Sequence, residues 1–91
     1  MEKARMHGRV VARHPNLSEA DVLSAWSNAI AIVRRETAEA DFYVAVGFDA
    51  NSRPIEMVAV KEDDGSMLIF HAMTPPTKKT LRELRVEGGR R

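Results

Sequence analysis

The chain has 91 residues, no cysteine, three histidines and a formal charge of +1; it fits one small domain and excludes both a disulfide framework and a thiolate nucleophile. No apolar run nears the ~18 residues of a membrane span, and the polar start MEKARMHGR lacks a signal-peptide core, so a cytoplasmic protein with no membrane partner is expected. The small net charge averages unlike regions: residues 1–35 carry six Lys or Arg against three acids, residues 36–64 two against eight, and residues 78–91 six against two, so a basic polyanion-binding face can hide behind it.

In chain order, residues 5–14 read as a short helix or a strand, ended at His14-Pro15 because a residue before proline is pushed out of the helical region. Leu17-Ser18-Glu19-Ala20-Asp21-Val22 is a helix start: Ser18 caps, Asp21 reaches back as the capping-box acid, and Leu17 and Val22 take the staple positions. The helix predicted over residues 18–28 aligns Val22, Leu23, Trp26 and Ile30 on one apolar stripe, with Trp26 as a core anchor. The period then becomes strand-like. Strands are predicted over residues 30–35, 42–48, 55–61 and 67–73, joined by Asp/Asn/Gly/Pro turns at residues 49–54 and 63–66. Such short links imply an antiparallel meander. Val44-Ala45-Val46 and Leu68-Ile69-Phe70 are apolar on both faces, so one face is expected to carry helices and the other a partner. Thr74-Pro75-Pro76 stops the last strand, and residues 77–84 form a short helix with Leu81 and Leu84 inward. The fold class expected is therefore α+β: two N-terminal helices, a four-stranded antiparallel meander and a C-terminal helix. It makes one domain over residues 1–91, with an ordered core over residues 5–86 and a frayed tail at 87–91.

The chemistry concentrates in residues 71–82. His71 can move protons near neutral pH, and Lys78, Lys79 and Arg82 can hold a phosphate and offset charge as a phosphodiester is attacked. That set suffices for RNA cleavage without a metal or other cofactor, a base taking the 2′-hydroxyl proton and an acid protonating the leaving 5′ oxygen. Arg13, His14 and Arg85 are candidate nucleic-acid contacts, and Arg13-His14 sits in the turn before the capped helix. His7 is assigned no role. Metal ligation would need the three histidines and the carboxylates, and no HExxH spacing exists. Glu62-Asp63-Asp64 beside Gly65 reads as a solvated hairpin loop. Asp41, Asp49 and Glu56 flank strands and suit a basic partner protein better than a phosphate.

The run Arg13-His14-Pro15-Asn16-Leu17-Ser18-Glu19-Ala20-Asp21-Val22, the strands Tyr43-Val44-Ala45-Val46-Gly47 and Ile55-Glu56-Met57-Val58-Ala59-Val60, and Leu68-Ile69-Phe70-His71-Ala72-Met73 followed by a basic helix form a pattern that spans most of the chain. It resembles the small toxins of bacterial toxin–antitoxin pairs with the RelE-like fold, especially the BrnT branch. The resemblance implies a ribonuclease held by an antitoxin protein. Those toxins usually carry an active arginine just after the strand-end alanine; the matching residue here is Met73.

Two readings follow. One is a toxin-type domain acting on RNA, with His71 in proton transfer, Lys78, Lys79 and Arg82 on the phosphate, and Arg13 and His14 as auxiliaries. The other is a non-catalytic interaction module on the same scaffold, a homodimer or partner-bound form, which Met73 and the modest charge favour. Generic single-strand binding fits less well, because no aromatic platform alternates with the basic residues.

Overall fold

A computed structural model describes residues 3–85, with Glu36 defined by its backbone alone. The elements run β1 (Ala4–Met6), α1 (Arg9–Arg13), α2 (Glu19–Ser27), β2 (Ala29–Glu36), β3 (Asp41–Phe48), β4 (Pro54–Lys61), β5 (Met67–Met73) and α3 (Lys78–Leu84). The tail expected at residues 87–91 lies outside the described residues.

The α+β class is as expected, but the sheet is five-stranded and mixed rather than four-stranded and antiparallel, with order β1-β5-β4-β3-β2. The meander β2-β3-β4-β5 forms as its short turns require. The added strand comes from the ambiguous N-terminal segment, which is both things in turn. Ala4–Met6 pairs in parallel with Met67–Ile69, and the chain then turns into the single-turn helix α1.

At α2 the cap is built as the sequence implies. Ser18 Oγ accepts from the Asp21 N–H at 3.1 Å, and Asp21 Oδ2 accepts from the Ser18 N–H at 3.0 Å. These bonds satisfy donors that a helix start otherwise leaves open. Leu17, Val22 and Ala25 are fully buried, and they press α2 onto one sheet face, where Ala45, Ile55, Met57, Ala59, Met67, Ile69 and Ala72 complete the core with Val10 of α1. Trp26 packs against this core while remaining half-exposed. Gly47 permits the approach: a Cβ there would overlap the Ala25 carbonyl and stand 3.0 Å from Ala29 Cα.

The opposite face was expected to await a partner. Over its middle it is covered instead by α3, whose Leu81 and Leu84 pack on Val44, Val46, Val58, Ala31 and Val33. An Arg35–Glu83 ion pair fastens α3 to β2. This explains why β3 reads as apolar on both sides.

Asp41, Asp49 and Glu56, expected to meet a basic partner protein, have partners within the chain. Asp41 pairs with Arg34 at 3.2 Å. Asp49 is buried and accepts from the Asn51 and Arg53 N–H groups and from Arg53 Nε, all at 2.8–2.9 Å. Arg53 reaches on to Asp21 Oδ2 and the Asn16 carbonyl, which ties the β3–β4 turn to the start of α2. The Glu62–Ser66 hairpin loop is only partly solvated: Ser66 is buried and donates to Glu62 and Asp64, while Gly65 supplies the left-handed φ of 87°.

Candidate functional site

The site begins with a register shift. Along β4, Val58 pairs with His71 and Ala59 with Ile69, so Phe70 is an extra residue in β5. Alternation would otherwise put His71 on the same face as Met67 and Ile69, inside the α1–α2 core. The bulge turns His71 to the face of Val58 and Glu56, a re-aiming that bulges commonly perform beside functional groups.

A second break lies on the other side of β5. Strand β1 pairs only as far as Met6 with Ile69, and α1 packs beside the rest of β5. Arg9, Val10, Arg13, His14, Phe70, His71 and Ala72 line the resulting concavity of about 210 Å³. The rings of His14 and His71 meet edge to face there, centroids 6.4 Å apart. The i,i+4 spacing of Arg9 and Arg13 puts both guanidiniums on one side of α1. Among the described residues, the lining thus draws on two histidines and two arginines and on no Asp or Glu.

Behind His71 stands Glu56, its side chain only 7% exposed. Its Oε2 lies 2.8 Å from His71 Nε2. Its Oε1 accepts from the Thr77 N–H at 2.8 Å and the Thr77 hydroxyl at 3.1 Å. Burial pushes the Glu56 carboxyl up, but the hydrogen bonds from His71, the Thr77 backbone and the Thr80 and Thr77 hydroxyls outweigh it and hold it down at about 2. A buried anion is thus fixed between the pocket and the N-terminus of α3.

Of the residues singled out from sequence, His71, His14 and Arg13 come together in the pocket. Lys78, Lys79 and Arg82 are exposed on α3, and Arg85 follows as its left-handed C-cap; none of the four lines the pocket. Thr77, one residue before Lys78, and Thr80 are the contacts of that segment with the Glu56 carboxylate. His7 has a local duty, its Nδ1 accepting from the Arg9 N–H at 3.2 Å at the start of α1.

Sequence reasoning missed Arg9 and the role of Glu56. The signals were present: an arginine four residues before Arg13, and an acid between Ile55 and Met57 within an apolar strand. Among the described residues, no group of three or more His, Asp or Glu is arranged to hold a metal, and no helix is long and apolar enough to cross a membrane. No protein family, curated protein or solved structure matches the chain.

Proposed function

We propose that the chain is a cytoplasmic toxin-type ribonuclease of RelE-like fold, related to the BrnT branch and bound by an antitoxin protein. The observation that carries the activity is the meeting of His14 and His71, ring centroids 6.4 Å apart, in a concavity whose charged lining among the described residues is Arg9 and Arg13. A phosphodiester seated between two imidazoles needs one to accept and one to give a proton. His71 takes the 2′-hydroxyl proton, O2′ attacks phosphorus, and the P–O5′ bond breaks as His14 protonates the leaving oxygen. The products are a 2′,3′-cyclic phosphate and a 5′-hydroxyl. Arg9 and Arg13 hold the non-bridging oxygens and offset their growing charge. The guanidiniums of α1 thus supply what the toxins draw from the arginine at the position of Met73. Lys78, Lys79, Arg82 and Arg85 serve as outer contacts to flanking phosphates.

Induced expression in a bacterial host tests this reading. Growth arrest relieved by His71→Ala and by His14→Ala, with RNA cleavage lost in the purified variants, supports it. No arrest and no cleavage by the folded wild type removes it.

A second reading, a non-catalytic module that pairs with itself or another protein, is favoured by one feature. Strand β2 is an open sheet edge bearing Ile30 and Ile32, 58% and 51% exposed, and exposed edges invite pairing. Light scattering on the purified chain separates the readings when combined with RNA titration. A stable assembly without salt-dependent RNA affinity favours the module.

A further inference from the structure

We propose that Glu56 is a positioning residue that locks the imidazole of His71 in one tautomer, Nε2 protonated and Nδ1 free to accept, and joins that ring rigidly to the start of α3. The kinetic part rests on the ribonuclease reading; the tautomer part stands apart from it.

The geometry assigns each carboxylate oxygen a separate task. Oε1 is taken by the Thr77 N–H at 2.8 Å and the Thr77 hydroxyl at 3.1 Å, and the Thr80 hydroxyl is a further donor to the carboxylate. Thr77 in turn caps α3 by accepting the Thr80 N–H. With Oε1 so held, Oε2 has a fixed direction, and His71 Nε2 lies in it at 2.8 Å. An ionised carboxylate offers only acceptors, so the hydrogen of this bond belongs to the imidazole. The ring's remaining nitrogen, Nδ1, is then the basic one, and a base for the 2′-hydroxyl must be that atom.

Holding Thr77 does not by itself require a charge. A glutamine at position 56 can present its carbonyl to the Thr77 N–H equally well, leaving its amide NH₂ toward His71. That donor needs a bare Nε2, which moves the ring proton to Nδ1 and removes the base. An orienting acid and a merely structural acceptor therefore make opposite predictions for Glu56→Gln, although both allow it to fold. Carboxylates that orient reacting imidazoles work in this way, and their amide replacements fail through the wrong tautomer.

The experiment is long-range ¹H–¹⁵N correlation spectroscopy of the ¹⁵N-histidine-labelled full chain at neutral pH, alongside cleavage of a single-stranded RNA oligonucleotide. The wild type should show His71 as the Nε2–H form, and Glu56→Gln should shift it to Nδ1–H. Cleavage by the variant should fall by about 10²-fold or more in kcat, with KM within about threefold. A wild-type spectrum with the proton on Nδ1 overturns the proposal without recourse to any variant. Full cleavage by folded Glu56→Gln overturns the positioning role. An Nε2–H ring in a wild type that cleaves no RNA supports the lock and removes the ribonuclease reading instead.

Discussion

The hydrogen-bonded Glu56 carboxylate should make the stability of the fold depend on acid. Its carboxyl titrates near 4.5 when exposed and is held at about 2 in the folded chain. At about 1.4 kcal/mol per unit, this difference amounts to about 3 kcal/mol of stability. A depressed folded value means that the contribution is complete above the unfolded value and drains away as pH falls from 4.5 toward 2. By about pH 2.5 some 2–3 kcal/mol of it is gone. Chemical denaturation followed by Trp26, the single tryptophan, packed against the core, measures the stability at each pH. Asp21, Asp49, Asp64 and Glu83 are also held below the usual carboxylate range by their hydrogen bonds, so wild type and Glu56→Gln will both weaken in acid. The difference between them isolates Glu56. The wild type should exceed the variant at neutral pH, and the gap should shrink by about 2–3 kcal/mol by about pH 2.5. Two curves that run parallel from neutral to acid would refute the assignment of Glu56 as a buried, hydrogen-bonded anion.

Other consequences follow from packing and charge. Gly47→Ala should cost about 1–3 kcal/mol or more, because its methyl overlaps the Ala25 carbonyl and α2 must shift; denaturant midpoints measure this directly. Arg53→Met leaves buried Asp49 without its guanidinium and cuts the tie to Asp21 and Asn16, for a loss of about 1–3 kcal/mol in the same assay. Arg9→Ala with Arg13→Ala should weaken RNA binding and flatten its dependence on salt by about one to two in slope. Lys78→Ala with Lys79→Ala should change affinity without altering the rate of cleavage once RNA is bound, as filter binding and single-turnover kinetics would show.

How far the sequence could be read depended on how local each signal was. The Ser18–Asp21 box, the turns at Asp49 and Gly65, and Val22, Leu81 and Leu84 are decided by residues within a few places of each other and stand where the pattern put them, whereas Ile30, expected on the α2 stripe, lies exposed in β2 because the helix ends at Ser27. Strand β1 is three residues long, and its partner lies more than sixty residues away, so no local period announces it. The bulge at Phe70 was invisible for a similar reason. Leu68-Ile69-Phe70 is apolar on either register, and only pairing with β4 decides which face His71 takes. The site followed the same division. His71 and the Arg13-His14 pair drew notice as titratable or cationic residues at element ends. Their meeting required α1 to lie along the uncovered part of β5, which no spacing encodes. Glu56 looked like a surface acid because its burial depends on α3 folding back over β4.

The most direct test of the central claim is incubation of the purified chain with a single-stranded RNA oligonucleotide in the presence of a chelator, the products being identified by mass spectrometry. Cleavage should leave fragments ending in 2′,3′-cyclic phosphate and beginning with 5′-hydroxyl. They should be absent when the cleaved nucleotide is 2′-deoxy, and absent with folded His14→Ala or His71→Ala. Intact RNA with the folded wild type, or cleavage that survives loss of both imidazoles, would contradict it.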